Sequence, residues 1–235
     1  MKTIKTRNDA RTTARSAEST APPGLIFVPE VLTETEESDL LAFIHRIEFR
    51  TLQMHGVTAK RRIKQYGWHY AFQSYQLTPA DPIPAEFTNI RRCAAALASV
   101  DPAEWTEALV TEYASGAGIG WHRDAPAFGI VAGLSLGGAC RMRFQTGSGT
   151  GRTTYALDLP PRSIYLLRGE VRTKWQHMIP ATKDLRYSIT FRTLRKGRKQ
   201  EGEAPQGPLE REDESPNDRD SDGQSRTERT AISAD

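Results

Sequence analysis

The sequence predicts an α+β fold in which two supporting helices precede an antiparallel sandwich or jelly roll. Two segments in the first half of the chain carry apolar side chains at helical spacing. From Leu109 onward the pattern changes to short β-rich runs separated by glycine and proline, as in antiparallel sheets. A chain of 235 residues is long enough for one domain with tails. We therefore expect a single domain.

Both ends of the chain have the composition of disordered segments. Residues 1–23 are rich in Thr, Ser, Ala, Arg and Lys, which predicts a disordered basic arm. Residues 196–235 carry 7 basic and 11 acidic side chains and almost no large apolar ones. This composition predicts a disordered acidic tail. The folded domain is therefore expected over residues 24–195.

The charge and the apolar runs limit the class of protein. The formal net charge of +3 includes an acidic tail, so the body of the chain is more basic and suits an anionic partner such as nucleic acid. No apolar run approaches the roughly 20 residues of a membrane span, and no signal-peptide core follows Met1. We expect a cytoplasmic protein with no membrane partner, whose two cysteines, Cys93 and Cys140, are buried thiols.

Two helices are expected to pack beneath the sheets. Thr33 and Glu36 form a capping box, and the apolar residues that follow predict a helix over about residues 34–48. A second amphipathic helix is predicted after Pro84 and ends before Asp101. We interpret both as packing elements that carry no chemistry.

Six strands are predicted in the second half of the chain from their β-branched and aromatic residues. These are Leu109–Tyr113, Ile130–Leu136, Arg141–Gln145, Thr153–Leu157, Ser163–Leu167 and Tyr187–Leu194. Their number and spacing are the reason for predicting a sandwich or jelly roll.

The first candidate site is a metal-binding set. In an extended segment His122 and Asp124 project from the same face, which brings an imidazole and a carboxylate together. His177 is the candidate for a third ligand. Two histidines and one carboxylate suit non-haem Fe(II) because they leave positions open for a chelating cosubstrate and O₂. Zinc could accept the same set.

The strand that begins at residue 186 presents two arginines on one face. With a period of two, Arg186, Ser188, Thr190 and Arg192 point one way, and the apolar side chains between them point the other way. Buried arginines need anions, and a guanidinium fits a carboxylate with two parallel hydrogen bonds. A small dicarboxylate near the metal would satisfy them. The alternative is an edge strand whose arginines face water.

These residues together resemble a known family. His122, Asp124 and His177, with an Arg-x-Ser-x-Thr-x-Arg strand that starts nine residues after His177, resemble the 2-oxoglutarate- and Fe(II)-dependent dioxygenases. Within them the resemblance is to the AlkB family of nucleic-acid dealkylases, over about residues 25–195. It implies a double-stranded β-helix (jelly roll) core with flanking helices and a substrate lid over about residues 50–80. It also implies that the three residues hold Fe(II), with 2-oxoglutarate and O₂ as cosubstrates.

The resemblance implies roles toward 2-oxoglutarate as well. Arg186 and Tyr113 would bind its distal carboxylate, and Arg192 would lie by the carboxylate nearer the metal. Thr111 and Ser188 stand where the family commonly has asparagine, so shorter hydroxyls would replace two amide contacts.

The predicted lid combines aromatic and basic residues. Tyr66, Trp68, Tyr70 and Phe72 alternate directly after a basic run that contains Arg62. Rings stack on bases and cations follow phosphates, so this pattern suits single-stranded or flipped-base nucleic acid. The alternative is a strand that packs its rings into the core beside a solvated basic segment. We take Tyr66, Trp68, Tyr70 and Arg62 as the candidate substrate residues.

The expected activity follows from the resemblance. It implies oxidative demethylation of alkylated bases in DNA or RNA, by an enzyme we expect to be a monomer. Ala125 stands where many DNA-repair members carry a second acidic residue, so we predict a broad base preference that depends on stacking. The alternatives are an oxygenase acting on a protein side chain or small molecule, and a nucleic-acid-binding module without catalysis.

Overall fold

The computed structural model describes residues 20–54, 57–71 and 76–195. Most of the predicted basic arm, Phe72 and the acidic tail lie outside the described residues. The helices are α1 (Glu34–Ile44), α2 (Thr88–Ala98) and α3 (Gly169–Thr173). The strands are β1 (Leu25–Val28), β2 (Arg50–Met54), β3 (Val57–Tyr66), β4 (Trp68–Ala71), β5 (Gln76–Pro79), β6 (Trp105–Tyr113), β7 (Ile119–His122), β8 (Phe128–Gly137), β9 (Cys140–Thr146), β10 (Thr153–Leu159), β11 (Ser163–Leu167), β12 (Gln176–Ile179) and β13 (Arg186–Leu194).

Two antiparallel sheets form the jelly roll. The larger sheet has the strand order β1-β11-β8-β13-β6-β3-β2, and the smaller one has the order β10-β9-β12-β7. Side chains of both sheets share one apolar cluster, in which Tyr113 and Val131 of the larger sheet meet Met142 and Phe144 of the smaller. The strands β4 and β5 form a separate hairpin. The predicted double-stranded β-helix core is therefore confirmed.

The helices cover the other face of the larger sheet. A second apolar cluster joins Ile44 of α1 and Ile90 of α2 to Ile189 and Phe191 of β13. Cys93 packs against this cluster and is only partly buried, as is Cys140, so the expectation of two buried thiols holds in part. Within the described ranges, no helix is long and apolar enough to cross a membrane.

The helix α1 begins where the capping box predicts and ends earlier than expected. The Glu36 backbone N–H donates to Thr33 Oγ1 at 3.2 Å, and the Thr33 N–H donates to Glu36 Oε2 at 2.8 Å. The predicted end was residue 48, but the helix stops at Ile44. There the chain turns, and the Arg46 backbone N–H donates a hydrogen bond to the Phe43 carbonyl oxygen. The turn leads the chain into β2. The apolar residues beyond Ile44 still pack on the core, which is why the pattern looked helical.

All six predicted strands are present, and β11 has the predicted bounds. The strand β6 is longer than predicted, since it begins at Trp105 rather than Leu109. The strand β13 is central, with β6 on one side and β8 on the other. The alternative in which its arginines lie on an edge strand and face water is therefore wrong.

The aromatic alternation of the lid is interrupted at Gly67. This residue has φ +75°, and a Cβ there would lie 2.0 Å from the backbone oxygen of Thr106. The turn separates β3 from β4, so Tyr66 and Trp68 do not belong to one continuous strand. Tyr66 packs edge-on against Phe87, and Trp68 is 2% exposed. The structure corrects the prediction that these two rings stack on substrate, in favour of core packing.

The burial of Trp68 leads to a stability prediction. Trp68→Ala removes a large buried side chain and should lower the free energy of unfolding by about 3–5 kcal/mol. Trp121→Ala is the matched control, because Trp121 is 40% exposed and surface changes usually alter this free energy by less than about 0.5 kcal/mol. Denaturant unfolding of both variants measures the difference. Equal unfolding free energies for the two variants would contradict the placement of Trp68.

Candidate active site

A cavity of about 430 Å³ lies between the two sheets, a volume typical of small-molecule sites. Alternation along the strands decides which side chains reach it. Glu107, Leu109, Thr111 and Tyr113 of β6 line it, whereas Val110 on the opposite face packs on the helices. The same rule brings Ser188, Thr190 and Arg192 of β13 into the cavity. The predicted two-sided character of β13 is therefore confirmed.

The three candidate metal ligands meet at this cavity. The strands β7 and β12 are antiparallel neighbours, and His122 is directly opposite His177 in their register. The centroids of the two imidazole rings are 4.3 Å apart. Asp124 follows β7, and its Oδ2 lies 3.6 Å from His177 Nε2. Strand pairing thus joins ligands that are far apart in sequence.

Both imidazoles are held in the neutral form that binds metals. His122 Nδ1 lies 2.8 Å from the Gly120 carbonyl oxygen. Because a carbonyl can only accept, Nδ1 donates and Nε2 keeps its lone pair. Burial lowers the pKa of His122, and burial together with nearby cations lowers the pKa of His177 to about 3, although Asp124 acts in the opposite direction.

Asp124 has one satisfied oxygen and one without a partner. Its Oδ1 accepts from Arg192 Nε at 3.1 Å and from Arg192 Nη2 at 2.8 Å. Its Oδ2 is buried without a hydrogen bond. Burial opposes ionisation of Asp124, but the positive charges of Arg192 and Arg172 outweigh it and hold the pKa of this carboxyl well below its usual range. Burying an ionised oxygen without a hydrogen-bond partner costs free energy, unless a cation binds that oxygen.

The donor atoms are close to one another without forming a finished coordination sphere. In the described part of the chain, no group of three or more His, Cys, Asp or Glu side chains is already gathered around a metal position. Binding would therefore require small side-chain adjustments of His122, Asp124 and His177. The donor set and the buried Oδ2 fit Fe(II), which accepts nitrogen and oxygen ligands and leaves open positions.

The loop after Asp124 is held by a buried cation. Arg172 of α3 donates from Nη2 to the carbonyl oxygens of Ala125 and Phe128, each at 2.8 Å. Its Nε donates to the carbonyl of Gly129 at 2.9 Å. These bonds fix the backbone between Asp124 and β8, and thereby the position from which the carboxylate projects.

Arg186, the residue predicted to bind a carboxylate, lies against Tyr113 and is not itself among the residues that line the cavity. It is fully buried, and its Nε donates to Ser135 Oγ at 3.1 Å. The nitrogens Nη1 and Nη2 have no hydrogen-bond partner among the described residues. The guanidinium carbon lies 5.0 Å from the ring centroid of Tyr113, its partner in the β6–β13 register. A carboxylate would satisfy both nitrogens at once.

The hydroxyl residues that replace the family's asparagines are neighbours. Thr111 and Ser188 are directly opposite each other in the β6–β13 register, and both line the cavity. The structure thus brings together Thr111, Tyr113, Arg186 and Ser188 as the resemblance implies.

Arg192 lines the cavity and is bonded there to two carboxylates. It donates to Asp124 and, through Nη1, to Glu107 Oε2 at 2.7 Å. Burial opposes its charge, but these two carboxylates raise the pKa of Arg192 further above its usual range. The structure therefore places Arg192 against a candidate metal ligand.

The predicted substrate residues lie on two different faces. Tyr70 lines the cavity and packs on Phe128, with ring centroids 6.0 Å apart. Arg62 points away from the cavity and pairs with Glu112 at 2.7 Å. Tyr66 and Trp68 do not line it either. The structure therefore places none of these three residues at the cavity.

Other residues line the cavity, and some of them have a sequence signal. Arg61 and Gln65 line the cavity because both lie on the face of β3 opposite to that of Arg62. The exposed ring of Trp121 lies at the cavity and directly precedes a candidate ligand. Sequence reasoning missed Glu107 because the predicted strand begins at Leu109, two residues after it, whereas β6 begins at Trp105.

Comparison with known proteins identifies the family. A family profile described as the 2OG-Fe(II) oxygenase superfamily matches residues 24–196, and the chain belongs to that superfamily. Curated relatives named ALKBH8 match the chain, which confirms the predicted AlkB family. The alkylated DNA repair protein ALKBH8 homolog of Arabidopsis thaliana is 31% identical over 188 residues, covering 67% of this chain and 51% of that protein. The chain is thus a 2-oxoglutarate-dependent dioxygenase whose cofactors are Fe(II), 2-oxoglutarate and O₂.

A second relative carries a different name. The tRNA (carboxymethyluridine(34)-5-O)-methyltransferase ALKBH8 of Mus musculus is 29% identical over 170 residues, covering 69% of this chain and 25% of that protein. The chain therefore spans about half, or a quarter, of the length of these curated relatives.

Solved structures agree on the fold. The structure of OsALKBH1 has a TM-score of 0.62 at 17% identity, covering 74% of this chain and 98% of that one. A prolyl-4-hydroxylase from Pseudomonas putida has a TM-score of 0.52 at 13% identity, covering 74% of this chain and 94% of that one. These likenesses establish the jelly-roll fold alone.

Proposed function

We propose that this cavity is the Fe(II) and 2-oxoglutarate site of an oxygenase that removes methyl groups from alkylated bases in nucleic acid. His122, Asp124 and His177 hold the metal, and Arg186 with Tyr113 binds the distal carboxylate of 2-oxoglutarate. One observation carries the assignment: Asp124 Oδ2 is buried at the cavity without a hydrogen bond, and the Arg186 guanidinium, which lies against the cavity residue Tyr113, is buried with Nη1 and Nη2 unpaired.

Each side chain of the site has its own role in the proposed reaction. Fe(II), bound with 2-oxoglutarate and O₂, supplies the oxidising power when present. Arg186 orients the cosubstrate, and Arg192 holds Asp124 from the side of Oδ1, leaving Oδ2 for the metal. The apolar walls of the cavity exclude water from the reacting groups. Oxidation of the N-methyl carbon followed by loss of formaldehyde needs no protein nucleophile.

The mouth of the cavity supports a nucleic-acid substrate. Trp121 presents an exposed ring there, and the exposed Arg123 follows it closely in sequence. Arg61 contributes a further positive charge to the lining. A ring beside cations suits a base with its phosphate. The names of the two curated relatives, one for alkylated DNA repair and one for tRNA, point to the same class of substrate.

Succinate formation in the presence of candidate substrates tests the proposal. The arms are methylated single-stranded DNA, methylated single-stranded RNA, their unmethylated counterparts, a mixed peptide pool, and no substrate. We expect the methylated oligonucleotides to stimulate succinate and release formaldehyde in equal amount. Stimulation by peptides alone would favour the oxygenase of a protein side chain, and oligonucleotide binding without any succinate would favour the non-catalytic module. Succinate without formaldehyde would replace demethylation by stable hydroxylation.

Trp121 offers a substrate-binding prediction with a matched control. We expect Trp121→Ala to weaken oligonucleotide binding by about 1–3 kcal/mol, the usual contribution of one stacked base. Leu185→Ala, the other large exposed apolar side chain of the described residues, should leave binding unchanged. Binding is measured with Mn(II) and 2-oxoglutarate present, and the affinity of both proteins should fall steeply with salt. Equal affinity in the two variants, or salt-independent binding, would contradict base stacking at this mouth.

The cytoplasmic location, the monomeric state and the broad base preference inferred from Ala125 are predictions. The base preference is tested in the same succinate assay, by comparing oligonucleotides that carry different methylated bases.

A further inference from the structure

A second buried acid lies beside the candidate metal site. Glu107 projects from β6 into the cavity and is completely buried. Burial raises the pKa of this carboxyl, while Arg192 and Gln65 act to lower it. Nothing in the proposed reaction requires an acid at this position, so its burial needs another explanation.

Glu107 and Asp124 share one arginine. The Arg192 guanidinium donates through Nη1 to Glu107 Oε2 at 2.7 Å, and through Nε and Nη2 to Asp124 Oδ1. All three side chains are nearly or completely buried. Because a guanidinium is planar, an acid that fixes Nη1 on one side also fixes the direction of the donors on the other side.

We propose that Glu107 is a positioning residue for the metal centre, which acts through Arg192 to keep Asp124 Oδ2 available to the metal. The inference rests on the proposed function, since it takes Asp124 to be a ligand. Ligands that project from a loop depend on such supporting bonds for their orientation.

The charge balance supports this role. Arg192 with Asp124 alone is a neutral pair, in which the carboxylate is already compensated and attracts a dication weakly. With Glu107 present, Arg192 divides its donors between two carboxylates, so its charge is not directed at Asp124 alone. The second carboxylate therefore lets one arginine orient Asp124 without cancelling its attraction for Fe(II).

A further contact fixes Glu107 itself. Gln65 of β3, which is also buried, donates from Nε2 to Glu107 Oε1 at 3.2 Å. The Gln65 carbonyl oxygen in turn accepts from Arg50 Nη2. The series of contacts from Asp124 through Arg192 and Glu107 thus reaches the strands of the predicted lid, and both Glu107 oxygens are held.

The test measures metal affinity rather than turnover. Co(II) is titrated into Glu107→Gln and followed by its visible absorption, which reports ligand number and geometry. The matched control is Glu112→Gln on the opposite face of the same strand, where Glu112 pairs with Arg62 outside the cavity. We expect the Co(II) dissociation constant of Glu107→Gln to rise about 10- to 100-fold, as for loss of an outer-shell partner. The constant of Glu112→Gln should match the unmodified protein.

A structural role alone would give a different result. If Glu107 only stabilised the fold, Glu107→Gln would lower the melting temperature of the metal-free protein and leave the Co(II) dissociation constant unchanged. That result would overturn the proposal. If Glu107→Gln does not fold, Gln65→Leu is used in its place; a weakened Co(II) affinity supports the role and an unchanged one overturns it. Absence of Co(II) binding by the unmodified protein would instead contradict the proposed function, so the two failures are distinguishable.

Discussion

Asp124→Ala is expected to abolish succinate formation at every 2-oxoglutarate concentration. The change removes the oxygen that lies without a partner in the buried site and leaves two histidines at 4.3 Å ring separation to hold the metal. The loss should exceed the roughly 10- to 100-fold typical of an outer-shell partner, because a direct ligand is removed. His122→Ala and His177→Ala should behave alike.

The fold should survive these changes. Arg192 keeps Glu107 as an ion-pair partner when Asp124 is removed, so no buried charge is left alone. Asp158→Ala is the control, because Asp158 forms an exposed ion pair with Arg141 on the smaller sheet. Circular dichroism should be unchanged in every variant. Normal turnover in any one of the ligand variants would contradict the assignment of that ligand.

Arg186→Lys is expected to produce the second large effect, on the KM for 2-oxoglutarate. Lysine keeps the charge but loses the planar pair of donors that Nη1 and Nη2 provide. Loss of one charge-assisted hydrogen bond costs about 1.5–3 kcal/mol, which corresponds to about 10- to 100-fold in KM. Steady-state succinate formation at saturating Fe(II) measures this constant.

The control makes the same Arg-to-Lys substitution at a position outside the site. Arg143→Lys alters an exposed arginine on β9 and should leave the KM unchanged. An unchanged KM in Arg186→Lys would mean that the distal carboxylate is bound elsewhere. Arg61, which lines the cavity, would then be the next residue to test.

The sequence predicts those parts of the site that depend on local periodicity. Alternation along β13 is enough to place Ser188 and Arg192 on one face and Ile189 on the other. The capping box likewise gives the start of α1 at Glu34. These features depend on residues two to four positions apart, which a sequence displays directly.

Features that depend on backbone turns or on pairing between distant strands were not predictable in this way. The lid rings look equivalent because they alternate, yet Tyr66 lies on the face of β3 opposite the cavity, and Trp68 lies in a separate strand after the left-handed turn at Gly67. Glu107 meets Arg192 only because β6 pairs with β13, an association across 85 residues. A period of two shows which face a residue occupies, but it does not show which strand lies next to it.

We expect one site to bind both the metal, through His122, Asp124 and His177, and 2-oxoglutarate, through Arg186. Electron paramagnetic resonance of Mn(II), a redox-inert substitute for Fe(II), measures the number of metal ions bound per chain with and without 2-oxoglutarate. We expect one bound Mn(II) in the unmodified protein, with an affinity that 2-oxoglutarate increases. We expect none in Asp124→Ala, and in Arg186→Lys one Mn(II) whose affinity responds only weakly to 2-oxoglutarate. Equal Mn(II) binding in the unmodified protein and in Asp124→Ala would contradict the assignment of this site.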